Sequence, residues 1–312
     1  MSGYPLNCAS DSRSNAARTS SRKIGSRELG VGSWRVTETH FKGWAKPGPI
    51  PPGALSPPDL PPEETLDALS GHFRIFQLRN GHRFSTDDVL TAWYGTSWAP
   101  SASRVLDLGS GIGSVGMIAA WRLPGAHLVT IEAQEDSVRL ARKSAAYNGL
   151  ESRCEIRHAD FRDAAALDPN ETFDLVFGSP PYFPLGTGIE SDHPQKMACR
   201  FELRGDIADY AGVAARHLDS GGVFACVFPE DQRERLERAV SAASMVVIRR
   251  RPVVFRAGDA PLVGLFLAMR ATDLPAGARD RTWVEPPLII RAADGSVHPE
   301  YAVVKLSVGF PP

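Results

Sequence analysis

Residues Arg104-Val-Leu-Asp-Leu-Gly-Ser-Gly-Ile-Gly113 decide the fold. Val105 to Leu108 reads as a buried strand, a short apolar run with one acid, Asp107, near its end. Gly109, Gly111 and Gly113 then alternate through a tight turn, and Val115, Met117, Ile118, Ala119 and Trp121 begin a helical pattern. Strand, glycine turn and helix make the first half of a nucleotide-binding βαβ unit. A turn without Cβ atoms lets backbone N–H groups approach a ligand, and the helix N-terminus behind it favours negative charge.

Two nucleotides compete for this loop. Gly111-Ile-Gly113-Ser-Val-Gly116 fits the dinucleotide pattern of NAD sites, and Glu132 lies 21 residues past Gly111, where a ribose-binding acid is expected. That spacing serves both readings. The strand, however, ends at Leu108, so the turn opens at Gly109, two residues before the dinucleotide pattern would begin. Asp107 also lies within the loop's reach. An acid there repels a pyrophosphate but suits the cationic methionine part of S-adenosylmethionine, so the loop is read as a site for that methyl donor.

Around this stretch the chain alternates strand and helix. Strands are expected at 103–108, 127–132, 153–158, 173–178, 223–228, 246–255 and 262–270, with helices at 113–122, 136–148, 206–218 and 230–243. Such alternation implies an α/β protein whose seven-stranded sheet is mostly parallel and covered on both faces. The last two strands follow each other with no helix between, which implies one antiparallel strand. Ahead of the core, Thr65–Leu69 reads as a short helix and His72–Leu78 as a strand before the Asn80-Gly81 turn. Phe84-Ser-Thr-Asp-Asp88 opens a helix with Ser85 or Thr86 as its N-cap. The domain is expected over 63–303, as a lead-in (63–102), a core (103–270) and an appended segment (283–303).

Residues 1–62 are rich in Ser, Arg, Gly and Pro, lack an apolar period, and read as a disordered tail. A basic tether, a transit segment and an over-long gene start are three explanations for it. It holds eight Lys and Arg against four Asp and Glu, a net of +4, while the remainder has 27 against 32, a net of −5. The whole-chain charge of −1 does not advertise nucleic-acid binding, but a local basic patch suffices for it. No apolar run reaches the ~18 residues of a membrane span. Cys8, Cys154, Cys199 and Cys226 are scattered with no C-x-x-C pair, so neither a metal cluster nor a disulfide framework is expected, and a reducing cytoplasm is the default.

In open α/β sheets ligands bind at the carboxyl ends of the strands. Those ends collect Asp107 with Gly109, Gly111 and Gly113, then Glu132 for ribose hydroxyls. They also collect Asp160 with Phe161 for an adenine, and Ser179-Pro180-Pro181-Tyr182. Glu132 could be a solvated strand end and Asp160 a helix N-cap, but four in register are harder to dismiss. The two prolines fix the backbone so that nearby carbonyls point one way. A plain Ser-Pro turn is the bland explanation; the functional one is a pocket for a planar amine. Ser179 Oγ and the Pro180 carbonyl would accept the amine hydrogens, and Tyr182 would stack on the ring. Drawing those hydrogens out of plane would localise the nitrogen lone pair toward a sulfonium methyl, with no metal required.

Residues 104–182 resemble the class I S-adenosylmethionine-dependent methyltransferases, through Leu-Asp-Leu-Gly-Ser-Gly-Ile-Gly and the amino-methyltransferase turn ending in Pro-Pro-Tyr. The resemblance extends over nearly all of 63–303. Gly81-His-Arg-Phe-Ser-Thr-Asp87, Asn148, Pro180-Pro-Tyr-Phe183, Arg200-Phe-Glu202 and Pro287-Leu-Ile-Ile-Arg-Ala-Ala-Asp-Gly295 look like the bacterial tRNA adenine-N6 methyltransferases. Those modify the adenine beside the anticodon of a valine tRNA. The resemblance implies a Rossmann-like fold, S-adenosylmethionine as donor and a tRNA anticodon loop as substrate. It also implies a donor site that includes Thr86, since the segment matching Phe84–Asp87 lies against the donor's methionine end. Pro181, Phe183, Arg200 and Arg204 become candidate substrate contacts, with Arg249-Arg250-Arg251 as further phosphate candidates. Ser179 replaces the family's usual Asn, His82 its usual Tyr, and the first 62 residues have no counterpart. Two rivals stand beside this reading: a release-factor glutamine methyltransferase, which shares Pro-Pro-Tyr, and a donor-binding RNA-binding protein with little catalysis. The stretch before Ser103 is too short and Pro-rich for the recognition domain of the first.

Overall fold

The computed structural model describes residues 39–184, 186 and 193–312. It begins with two short strands, β1 (His40–Phe41) and β2 (Trp44–Ala45), and a 3-10 turn at Pro52–Leu55. The expected disordered tail therefore does not extend to residue 62; its first 38 residues lie outside the described part of the chain. The Pro-rich run forms little regular structure, as its composition dictates, but it packs by close ring and backbone contact. The Gly48 backbone abuts the Trp121 indole, Gly53 the Tyr147 ring, and the Pro52 ring lies on Gly149.

A hairpin follows, β3 (Glu64–Ala68) and β4 (Arg74–Leu78), paired antiparallel from Glu64↔Leu78 to Ala68↔Arg74. The short helix expected at Thr65–Leu69 is thus a strand. Its Thr65 and Asp67 side chains bond each other and Gln77 at 2.6 and 3.0 Å, and the ladder to β4 outweighs local helix propensity. Helix α1 (Thr86–Trp98) is capped by Ser85, with Asp88 returning to the Ser85 N–H in a capping box.

The core elements are β5 (Arg104–Leu108), α2 (Ser114–Arg122), β6 (His127–Glu132), α3 (Glu135–Asn148), β7 (Cys154–His158) and β8 (Phe173–Gly178). After these come α4 (Pro194–Arg200), α5 (Ile207–His217), β9 (Leu218–Pro229), α6 (Arg233–Ala242), β10 (Met245–Arg256) and β11 (Val263–Arg270). The chain closes with β12 (Trp283–Val284), β13 (Leu288–Arg291) and α7 (Pro299–Ser307). The strand order is β12-β10-β11-β9-β8-β5-β6-β7, with β13 also on β10. Strands β7, β6, β5, β8 and β9 run parallel, and β11 is antiparallel to both its neighbours. The seven expected strands and the single reversed one are all present. The appended segment adds two short pieces at the β10 edge, which brings the sheet to nine.

Period-two alternation splits the core into two clusters. Val105, Leu175 and Phe177 face one that holds α1, α2 and α3 residues, while Leu106, Leu108 and Val176 face one that holds α5 and α6 residues. Covering both faces is what a parallel sheet requires. Among the described residues no helix is long and apolar enough to cross a membrane.

Candidate active site

The loop after β5 turns back beneath helix α5. Gly109 has φ +60°, and a Cβ there would lie 2.1 Å from the Tyr210 hydroxyl, so both its conformation and its space demand glycine. Ser110 N–H donates to the Ile131 carbonyl at 3.1 Å, which holds the loop against β6. The Glu132 carboxylate, 6% exposed, then completes the cradle. One oxygen accepts from Gly111 N–H at 2.8 Å and the other from Gln134 N–H at 2.7 Å. Glu132 therefore fixes the shape of the loop and keeps lone pairs for a ligand.

Asp107 stands elsewhere than the sequence suggested. Its side chain is buried beneath α2, where it accepts from Gly116 N–H at 3.0 Å, and it does not line the cavity. Burial pushes its carboxyl up to about 8. It ties β5 to the start of α2. Gly113, at φ +83°, is likewise the N-cap of α2 and lies behind the cavity wall.

The cavity has a volume of about 360 Å³, within the range of small-molecule sites. Ser179, Pro180, Pro181, Tyr182 and Phe183 after β8, Gly109 and Gly111 after β5, Glu132 at the end of β6, and Asp160 and Phe161 after β7 all line it, in the order of those strands in the sheet. Arg200 and Arg204 stand at its mouth, both exposed. Phe161 rests on Tyr210 with ring centres 4.6 Å apart. Asp160 is held by the Arg162 guanidinium at 2.9 and 2.6 Å, which keeps its carboxyl below the usual range. Thr86 does not line the cavity; His82, Ser85, Asp87 and Asp88 are the residues of that segment that do.

The Ser-Pro-Pro-Tyr turn is locked from three sides. Tyr182 Oη donates to Asp87 Oδ2 at 2.8 Å, and its carbonyl accepts from Gln232 Nε2 at 3.0 Å. Its ring meets Phe228 edge-on at 6.1 Å. Burial raises the Asp87 carboxyl, and the Tyr182 bond opposes that shift. Phe183 N–H donates to the Arg200 carbonyl at 3.1 Å, and the Arg200 guanidinium lies 5.8 Å from the Phe183 ring centre.

The run Arg249–Arg251 is not free for phosphates. Arg249 stacks 3.5 Å over Trp98 and pairs with Glu285, Arg250 pairs with Glu230, and Arg251 pairs with Glu300. Sequence reasoning missed Ser110, Gln134, Cys199 and Tyr210, all of which line the cavity. Ser110 and Gln134 adjoin residues it named, whereas Tyr210 arrives by packing alone and left no local signal. Burial pushes the Cys199 thiol up to about 12. Among the described residues no group of three or more His, Cys, Asp or Glu is placed to hold a metal.

The residues present fit S-adenosylmethionine. Ser110 Oγ is buried without a hydrogen-bond partner, an orphan that a polar ligand would satisfy. A buried carboxylate beside a glycine loop and an aromatic wall suit a ribose and a base.

Comparison with known proteins places the chain in a family. The tRNA1(Val) (adenine(37)-N6)-methyltransferase of Porphyromonas gingivalis W83 is 30% identical over 242 residues, which is 76% of this chain and 92% of that protein. The release factor glutamine methyltransferase of Caulobacter vibrioides is 30% identical over 156 residues, 47% of this chain and 53% of that one. A predicted O-methyltransferase from Agrobacterium tumefaciens, known from a crystal structure, shares the fold. Its TM-score is 0.55 at 21% identity, over 72% of this chain and 98% of that one. The family model described as the methyltransferase small domain matches residues 96–255, half of the chain, and with the P. gingivalis relative it shows that this chain belongs to the methyltransferase small-domain family.

Proposed function

We propose that the protein is an S-adenosylmethionine-dependent methyltransferase of the N6 amine of an adenine in the anticodon loop of a tRNA, acting in the cytoplasm. The observation that carries this reading is the Ser179–Tyr182 turn opening into the same cavity as the Glu132-braced glycine loop. The similarity to the P. gingivalis tRNA enzyme, over 76% of this chain and 92% of that protein, supports the choice of substrate.

Glu132, Ser110 and the Gly109–Gly111 backbone would hold the donor, with Phe161 beside its base. When bound, the donor supplies an electrophilic methyl on a sulfonium. Ser179 Oγ and the Pro180 carbonyl accept the hydrogens of the target amine and localise its lone pair. The Tyr182 hydroxyl is already committed to Asp87, so this residue offers its ring face to the target base. A stacked base is worth about 1–3 kcal/mol, which offsets the cost of leaving the loop's own stack. Mass spectrometry of tRNA nucleosides from cells lacking the gene tests the proposal. Loss of N6-methyladenosine from one tRNA is expected; an unchanged nucleoside profile contradicts it.

A further inference from the structure

The C-terminal segment Pro287–Gly295 carries part of the family resemblance and lies far along the chain from the site residues. In the fold it becomes β13, laid parallel on β10 with Arg291 in register with Arg256. The Ala257 N–H donates to the Arg291 carbonyl at 2.8 Å, so the two strand ends are side by side. Both ends lie on the rim that carries the glycine loop and the Ser-Pro-Pro-Tyr turn, because β10 runs in the same direction as β5 and β8.

Helix α7 follows, packs against β13 and carries Lys305. The Lys305 ammonium is held below the usual lysine range by burial and by the Arg291 charge. Among the described residues no carboxylate forms an ion pair with Arg256, Arg291 or Lys305; Asp294, the acid nearest in sequence to Arg291, is turned onto Ser296. Arg256 and Arg291 are both exposed, and Arg291 Nη1 donates to the Gly295 carbonyl at 2.9 Å, so two like charges stand opposite each other on the strand ends, which destabilises the ladder. By contrast, the three arginines at Arg249–Arg251 are each matched by a glutamate. This end of the chain also connects to the site. Phe310 packs on Phe84 at 6.3 Å, just ahead of α1, whose Asp87 and Asp88 line the cavity.

We propose that Arg256, Arg291 and Lys305 bind backbone phosphates of the substrate RNA, on the side of the cavity away from Arg200 and Arg204. This rests on the tRNA reading above. Strands lie about 4.8 Å apart, so β10 and β13 stand roughly 14–19 Å along the sheet from β8, a span of a few nucleotides from the target base. The two flanks would then grip the strand on either side of the extruded adenine.

The test uses the full chain carrying Arg256→Gln, Arg291→Gln and Lys305→Gln together, with unmodified tRNA and S-adenosylmethionine. The KM for tRNA should rise at least tenfold, with donor affinity and melting temperature unchanged. The slope of log affinity against log salt should become shallower by about two to three, since each phosphate contact contributes roughly 0.7–0.9. A second variant, Arg256→Lys with Arg291→Lys, should recover most of the tRNA affinity and the salt slope, which guards against a folding defect in the first. If the wild-type protein methylates tRNA and the glutamine variant does so with the same KM and salt slope, the patch is refuted and the function stands. If the wild-type protein neither binds nor methylates tRNA, both fall.

Discussion

Replacing Glu132 with Gln isolates what holds the donor loop. The carboxylate is buried and accepts Gly111 N–H at 2.8 Å and Gln134 N–H at 2.7 Å. Gln keeps the volume but offers one oxygen and one amide nitrogen. Whichever way it turns, one backbone N–H then faces another donor. A buried donor left without an acceptor costs about 1–3 kcal/mol. That cost falls on the unliganded protein, so its unfolding temperature should drop by roughly 2–10 °C. The same carboxylate is assigned to the donor's ribose hydroxyls, and hydrogen bonds to a charged group contribute about 1.5–3 kcal/mol. Affinity for S-adenosylhomocysteine should therefore fall by roughly ten- to a hundred-and-fifty-fold. Calorimetry reads the second effect and thermal unfolding the first. A Glu132→Gln protein that melts and binds like the wild type would refute the whole assignment. One that melts lower but binds equally would leave Glu132 as a brace alone.

Three further outcomes are expected. Tyr182→Phe keeps the ring but loses the bond to Asp87, so turnover on tRNA should fall about tenfold, whereas Tyr182→Ala should abolish it; equal losses in steady-state assays would show that the ring is not what matters. Asp107, at about 8 when folded and 3.8 as its reference value, binds an extra proton in the folded state between those limits. Its contribution to stability is thus fully present below the lower value and is lost as pH rises through the upper one. Asp107→Asn retains an acceptor for Gly116, so melting curves from pH 5 to 9 should decline less steeply than those of the wild type; identical slopes would contradict this. Removal of residues 1–62 should lower the melting temperature by several degrees relative to removal of 1–38, because it deletes the contacts on Trp121 and Tyr147; equal melting temperatures would show that the strap contributes nothing.

What the sequence disclosed follows from how local each cause is. Buried strands such as Val105–Leu108 and Phe173–Gly178 are written as apolar runs, and the loop glycines are forced by backbone geometry at their own positions. Both were legible. Thr65–Leu69 misled because its strand character comes from a partner across the hairpin. The Pro-rich 39–62 stretch misled because its order comes from rings on α2 and α3, not from its own composition. Asp107 has the right spacing for a ligand, but its orientation is set by the Gly116 N–H nine residues away. The bond from Tyr182 to Asp87 spans 95 residues and left no pattern to read. Arg249–Arg251 looked like a free basic run, and only tertiary structure reveals its glutamate partners.

The most direct test of the account is transfer in vitro. The purified protein is incubated with S-adenosylmethionine and either unmodified tRNA or a release factor, and the products are digested and analysed by mass spectrometry. The account predicts N6-methyladenosine at one anticodon-loop position of one tRNA and no methyl on the release factor. Methylation of a release-factor glutamine with none in tRNA would contradict it.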